Sequence, residues 1–208
     1  MNTSNNRPQV GLLHLEVIDR SNFSDFEREV DAKGLDFRIE SRPESGPYAG
    51  IEWLIPTAIV VYIGKAYFES FLKEAGKDHY AVLKAAIIRL SSKFSSKDEP
   101  KGYVVFSKDK AKSGTPKYSI FYSIVANLGD GFCIKLLLQN DFDASTCNAA
   151  QEAFLQFLSD LHDGHFDPTR IQGLVDAKPL GNILLLAYEP EGRRLQVIDP
   201  LAGKRADA

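Results

Sequence analysis

Two segments near the start of the chain alternate apolar and polar residues, which is the pattern of half-buried β-strands. They are residues 10–19 and 35–40, and a period of two places successive side chains on opposite faces of a sheet. Between them, Ser24 and Glu27 have the spacing of a capping box. This predicts a helix from Ser24 to Lys33 that ends at Gly34. A strand, a helix and a strand in this order predict a parallel, right-handed β-α-β unit.

The central part of the chain carries two apolar stripes with helical spacing. The first consists of Tyr67, Phe68, Phe71, Leu72 and Ala75, and the second of Leu83, Ile87, Leu90 and Phe94. Gly76 and the N-cap candidate Asp78 separate them, which predicts a central αα-hairpin. Residues 51–63 are ambiguous, because Pro56 suits the first turn of a helix whereas the β-branched run 59–63 favours a strand.

Strand-like runs dominate the second half of the chain. They are residues 103–107, 118–126, 132–139, 183–188 and 195–199. One helix lies among them, capped by Asp143 or Ser145 and ended by Gly164. The complete pattern predicts an α+β fold with a mixed sheet of about six or seven strands packed with helices. Its C-terminal part is expected to be an antiparallel meander with one helix.

The length and composition predict one folded unit. The chain has 208 residues, of which 44% are hydrophobic and 11% aromatic, enough apolar surface for a sizeable core. Residues 10–200 are expected to form a single α+β domain. Residues 1–9 are interpreted as a disordered leader and residues 201–208 as a flexible tail.

Charge and cysteine content indicate a soluble cytoplasmic protein. The formal net charge is −3 and there are two cysteines, Cys133 and Cys147, too few for a disulfide scaffold. The N-terminus has no signal-peptide pattern. The apolar run 53–63 is shorter than the roughly 20 residues that a membrane span needs. The sequence therefore favours neither a membrane nor a nucleic-acid partner.

Candidate catalytic residues are few and no common catalytic motif accompanies them. The densest titratable cluster is His162, Asp163 and His165, which could serve as metal ligands or as an acid–base pair. His79 follows a helix start, where the helix dipole favours a neutral imidazole. Cys147 is near another helix start, but it also lies on the apolar stripe of its helix. Structural roles as caps, surface residues and core explain all of them, so no cofactor or metal is predicted.

Charge is divided unevenly along the chain. Between Arg89 and Lys117, eight basic residues accompany only three acidic ones, and this stretch includes the loop lysines Lys108, Lys110 and Lys112. Residues 136–169 contain six acidic residues, including Asp160 and Asp163, and neither lysine nor arginine. Such segregation can steer a charged partner.

The leading hypothesis is therefore a non-enzymatic protein-binding or regulatory protein of the adaptor or neutralising type. The first alternative is a small hydrolase or metal-dependent enzyme that uses His162, Asp163 and His165. The second is a small-ligand sensor with an aromatic pocket formed by Trp53, Tyr62, Tyr67 and Phe71. The sequence leaves the identity of any partner and the oligomeric state open.

Overall fold

Seven strands form one mixed sheet within the part of the chain that the computed structural model describes, residues 7–43, 57–94, 117–179 and 181–199. The strands are β1 (Val10–Leu15), β2 (Phe37–Arg42), β3 (Ile59–Ile63), β4 (Tyr118–Gly129), β5 (Phe132–Gln139), β6 (Ile183–Glu189) and β7 (Arg194–Val197). Their order across the sheet is β2-β1-β3-β4-β5-β6-β7. The predicted α+β fold is confirmed.

Helices connect and cover these strands. They are α1 (Ser24–Val30), α2 (Leu72–Ala75), α3 (Asp78–Phe94) and α4 (Ala144–His162). A π-helical turn, Tyr67–Phe71, leads into α2, and Gly76 ends α2 with a φ of 86°. Helix α4 packs against β5, β6 and β7, and α1 packs against α3. No helix in the described part of the chain is long and apolar enough to cross a lipid bilayer.

Strand directions confirm the β-α-β unit and correct the predicted meander. β1 and β2 are parallel, as predicted, and β3 is antiparallel to β1. The pairs β4–β5 and β6–β7 are antiparallel hairpins. β5 and β6 are parallel, because α4 carries the chain across the sheet between them. The C-terminal meander is thus interrupted by a helical crossover.

The capping box at Ser24 is a wrong prediction. Ser24 has helical dihedrals (φ −60°, ψ −36°) and lies behind a 3₁₀ turn, Arg20–Phe23. The cap of this turn is Asp19, whose side chain accepts a hydrogen bond of 2.7 Å from the Ser21 amide. β1 ends at Leu15 rather than at Asp19, because the Ile18 amide donates to the Leu15 carbonyl (2.9 Å) and closes a turn there. Helix α1 ends at Val30, before the predicted Lys33.

Other boundaries agree with the sequence pattern where they can be compared. Asp143 caps α4 and accepts from the Thr146 amide at 2.7 Å. Residues 59–63 form β3, so the β-branched run decides that ambiguity, whereas residues 51–56 and the predicted strand 103–107 lie outside the described residues. The same holds for most of the predicted leader and for the tail. Gln9, at the end of the predicted leader, already bonds to Asp36 and Gly64.

The middle strands bury apolar side chains on both faces. Val61, Ile124, Leu136 and Leu186 are fully buried on the face that the helices cover. A smaller cluster lies on the opposite face and consists of Tyr118, Leu137, Leu185 and Ala187. The core therefore centres on β3 to β6, and β2 lies at the margin of the sheet.

Candidate functional site

The outer edge of β2 is a row of backbone groups with which no described strand pairs. β2 ends the sheet and neighbours β1 alone. The amides of Val10 and Glu16 donate to the carbonyls of Asp36 (3.2 Å) and Arg42 (2.9 Å), so the even-numbered residues bond toward β1. Backbone groups alternate sides along a strand. Those of Phe37, Ile39 and Ser41 consequently point away from the sheet.

The opposite edge of the sheet is covered instead. The Gln172 amide donates to the Leu195 carbonyl (3.1 Å), and the Val197 amide donates to the Gln172 carbonyl (2.9 Å). A single residue of the preceding loop thus pairs with the outer side of β7. An exposed edge can template pairing with another chain. β2 is the edge at which the described residues allow such pairing.

The side chains of β2 divide between its two faces. Phe37 and Ile39 pack against the main core on the helix-covered face. Arg38 and Glu40 project from the other face, where Arg38 donates to Asp36 through Nε (2.9 Å) and Nη2 (2.8 Å). This bidentate hydrogen bond raises the pKa of Arg38 above its ordinary value. The edge therefore combines an apolar face with a face of mixed charge.

A cleft of about 420 Å³ adjoins the carboxyl ends of β1 and β2. Its lining consists of His14, Glu16, Ile18, Asp19, Arg20, Ile39 and Ser41. The carboxyl ends of parallel strands are the usual place for ligands in sheets that contain β-α-β units. Because Ile39 and Ser41 belong to both features, the cleft and the open edge form one continuous surface.

His14 is the buried polar residue of this cleft. It is 3% exposed, and its ring lies 4.8 Å from the Phe23 ring between centroids. Its Nδ1 lies 2.8 Å from the Leu15 carbonyl oxygen. Since a carbonyl can only accept, Nδ1 carries a hydrogen, and in the tautomer with a single ring hydrogen the lone pair is on Nε2. His14 can therefore accept a hydrogen bond from a group in the cleft.

Lys135 lies on the opposite face of the sheet, away from the cleft. It is only 7% exposed, and burial together with the charge of Arg42 lowers its pKa to about 8. Arg42 itself donates to the Thr57 carbonyl at 2.8 Å, and the Thr57 and Ser123 hydroxyls share a hydrogen bond. These groups form an enclosed polar layer that ties β2, β3 and β4 together.

The predicted cluster at the end of α4 is dispersed by its packing. The His162 ring stacks on Phe68 with 4.0 Å between centroids, and burial lowers its pKa. Asp163 forms an ion pair with Lys77 (2.9 Å), and His165 is exposed. Within the described ranges, no three His, Cys, Asp or Glu side chains converge as metal ligands. The geometry thus gives the metal hypothesis no further ligand there.

His79 and Cys147 have partners or surroundings that suit structural roles. His79 Nε2 lies 2.9 Å from the Val30 carbonyl oxygen and therefore donates to it, and His79 Nδ1 shares a hydrogen bond with the Tyr67 hydroxyl, also at 2.9 Å. Cys147 is 6% exposed, which confirms the prediction of a buried thiol. Burial, and secondarily the Asp143 carboxylate, raises its pKa. A thiol with a raised pKa is a poor nucleophile.

The remaining predicted residues divide into three groups. Lys108, Lys110, Lys112 and Trp53 lie outside the described residues. Asp160 accepts a hydrogen bond from Gln156 (2.7 Å). Among the pocket aromatics, Tyr67 and Phe71 stack in the core at 5.6 Å, whereas Tyr62 pairs with Gly11 on the opposite face of β3. The described members of that set therefore lie on different sides of the sheet.

Sequence reasoning missed the β2 edge and the cleft beside it. The alternation in residues 35–40 identified a strand, but whether a strand is terminal depends on pairings far away in the chain. The sequence carried no signal for the cleft, because the predicted strand 10–19 places His14 in its middle, whereas β1 ends at Leu15.

Comparison with known proteins adds no relative. No family model matches the chain, no curated protein is significantly similar to it, and no solved structure resembles its fold significantly.

Proposed function

We propose that this chain is a non-enzymatic protein-binding or regulatory protein of the cytoplasm, which binds an extended segment of a protein partner along the outer edge of β2. The observation that carries this proposal is the row of outward backbone groups at Phe37, Ile39 and Ser41. Strand addition to a free sheet edge is a general mode of peptide recognition, in which main-chain hydrogen bonds supply affinity.

The side chains around the edge favour a peptide over other ligands. An added strand would present alternate side chains to the cleft beside His14 and to the charged face formed by Arg38 and Glu40. A nucleic-acid backbone requires net positive charge, whereas this edge carries both signs and the whole chain has a net charge of −3. Asp160 and Asp163 remain proposed charges that speed the approach of a basic partner.

An enzymatic function has less support. His79 uses both ring nitrogens within the fold, and the His162 ring lies against Phe68. A general base needs a lone pair within reach of a substrate proton. Among the described histidines, His14 lines a cleft, and the nucleophilic groups beside it are the Ser41 hydroxyl and the carboxylates of Glu16 and Asp19. No hydrogen bond within the described residues joins His14 to any of these three groups.

Substituting Ser41 tests the proposal. Ser41→Pro removes an outward N–H from an exposed position and leaves the bonds toward β1 intact. Ser41→Thr keeps that N–H and is the matched control. Proteins captured by the purified chain are identified by mass spectrometry, purified, and titrated into each variant by calorimetry.

We expect Ser41→Pro to weaken binding about fivefold to tenfold, the usual effect of losing one interface hydrogen bond. Ser41→Thr should bind like the original chain. A purified partner that binds Ser41→Pro with undiminished affinity has its contact surface elsewhere, and this result would overturn the proposal.

A further inference from the structure

We infer that the strand that pairs with the β2 edge is β2 of a second copy of this chain, so that the two sheets join across a twofold axis at Ile39. This inference rests on the proposed binding edge and names its partner. Closed dimers use the same surface on both subunits, and two identical edges related by a twofold axis run antiparallel. The axis position then fixes which residues face each other.

The hydrogen-bonding groups match this arrangement. In an antiparallel pair, opposed residues whose backbone groups face each other exchange both N–H···O bonds. With the axis at Ile39, the two Ile39 residues oppose each other, and Phe37 opposes Ser41 of the second copy. These are the outward-pointing residues of β2. The Phe37 amide already bonds to the Leu35 carbonyl (3.1 Å), so its carbonyl is the group available to the second copy.

The charged residues between them are self-complementary. The same register places Arg38 opposite Glu40 of the second copy, and by symmetry Glu40 opposite Arg38. Opposite charges that face each other across neighbouring strands stabilise pairing, whereas like charges oppose it.

A shifted register would lose this complementarity. Moving the axis to residue 38 opposes Arg38 with Arg38 and Asp36 with Glu40. Moving it to residue 40 opposes Glu40 with Glu40 and Arg38 with Arg42. Moving the axis by one residue slips the two strands past each other by two residues, which is the smallest slip that keeps the outward backbone groups facing each other. Each of these two slips therefore creates only like-charge pairs. The sequence of β2 selects the Ile39 register and discourages its neighbours.

The surroundings of the strand fit a short, reversible interface. Ile39 and Phe37 are half-buried and can contribute apolar contact on the helix-covered face, and Pro43 directly follows the strand. Proline cannot continue a hydrogen-bonded ladder, which limits pairing to β2. An interface of this size is small for a stable complex, so we expect association to depend on concentration.

Charge exchange between subunits tests the inference. Arg38→Glu and Glu40→Arg are each expected to weaken self-association at least about tenfold, since each turns two attractive pairs into repulsive ones. Mixing the two variants restores opposite charges at both pairs, so the mixture should form a one-to-one dimer although each variant alone does not. Sedimentation velocity from about 1 μM to about 1 mM covers the relevant range. Circular dichroism of each variant confirms that it is folded.

Engineered cysteines test the register independently. At the axis, the Cα atoms of opposed residues lie about 5.5 Å apart, within the roughly 4.4–6.8 Å that a disulfide spans. Ile39→Cys should therefore form a disulfide-linked dimer under mild oxidation. The matched control Ser41→Cys should not, because its symmetry mates are about 14 Å apart along the strands. The unsubstituted chain, with Cys133 and Cys147, gives the background.

The outcomes separate self-pairing from the wider proposal. A dimer that requires opposite charges and is linked through Ile39→Cys supports the inference. The inference is overturned if the chain stays monomeric to about 1 mM. It is also overturned if Arg38→Glu and Glu40→Arg both leave the dimer affinity unchanged. In either of those cases, the proposed binding edge is still supported if a different purified protein binds Ser41→Pro more weakly than the original chain. If no purified protein does so, the proposed binding edge is overturned together with the inference.

Discussion

The histidines of the helical layer join elements that are distant in the sequence. His79 connects the end of α1 to the turn before α2 through its bonds to Val30 and Tyr67. His162 closes the end of α4 against Phe68. An imidazole supplies an apolar ring surface and two polar atoms in a small volume. His79 uses both of its ring nitrogens, whereas His162 uses its ring face.

His162 should make the stability of the fold depend on pH. Burial lowers the pKa of His162 below the ordinary value of 6.5. The charges of Glu69 and Asp163 raise this pKa and offset only part of the effect of burial, and the charge of Lys65 lowers it further. The unfolded chain then binds a proton more readily than the folded chain. The contribution of His162 to the free energy of unfolding is therefore completely present above about pH 6.5. It is lost as the pH falls below that value toward the folded-state pKa.

A comparison of urea denaturation midpoints at about pH 5 and about pH 8 measures this dependence. His162→Phe keeps a ring against Phe68 but cannot titrate, so its midpoint should change less with pH than that of the original chain. His165→Gln, at an exposed histidine three residues away, is the matched control substitution. Identical pH profiles for His162→Phe and the original chain would contradict this interpretation.

Single residues also mark the limit of sequence rules. Ser24 and Glu27 satisfy the capping-box spacing, yet Asp19 is the cap because a 3₁₀ turn precedes the α-helix. Local motifs identify groups that can cap a helix, but tertiary contacts select among them. Phe23, within the turn, is fully buried and packs against His14. This burial favours a helical segment that begins before Ser24.

At the level of elements, the two edge strands differ in how their outer backbone groups are used. The outer side of β7 bonds to Gln172, whereas the outer side of β2 has no described partner strand. The residues Gln172 and Ser41 are both exposed and both sit in extended backbone. They differ in that the Gln172 amide bonds to Leu195, whereas the Ser41 amide has no partner among the described residues.

Proline substitution at these two positions measures that difference. Gln172→Pro should reduce the free energy of unfolding by about 1 kcal/mol, because it removes the bond to the Leu195 carbonyl. Ser41→Pro should stay within about 0.5 kcal/mol of the original chain, since its amide bonds to no other described residue. Urea unfolding of dilute protein gives both values. Equal losses would mean that the Ser41 amide has a partner within the monomer.

The strands and helices were largely predictable, but their arrangement was not. Alternation and helical stripes located β1, β2, β4, β5, α3 and α4 because each has a buried face that repeats along the sequence. The insertion of β3 beside β1, and hence the position of β2 at the end of the sheet, depends on pairing between Ile59–Ile63 and residues far away. The charged residues of β2 and Pro43 after it are compatible with an edge strand, but they do not by themselves place β2 at the end of the sheet.

At the scale of the whole molecule, the two edges of the sheet differ: within the described residues, Gln172 pairs with the outer side of β7, and no strand pairs with the outer side of β2. Composition and charge favoured a binding protein over a catalyst but could not locate the surface. The position of that surface depends on the strand order. β1 lies between β2 and the rest of the sheet, and the cleft beside His14 adjoins the carboxyl end of β2. Self-complementary charges on β2 then suggest a second copy as the occupant.

Amide hydrogen exchange at residues 38–41 tests the binding edge most directly. In dilute protein, the amides of Arg38 and Glu40 bond toward β1 and should exchange slowly, while those of Ile39 and Ser41 face outward and should exchange fast. When the protein is concentrated, or saturated with a purified partner, Ile39 and Ser41 should become protected and Arg38 and Glu40 should change little. Protection of Ile39 and Ser41 in the dilute monomer, or their continued fast exchange in a formed complex, would contradict the assignment of this edge as the binding surface.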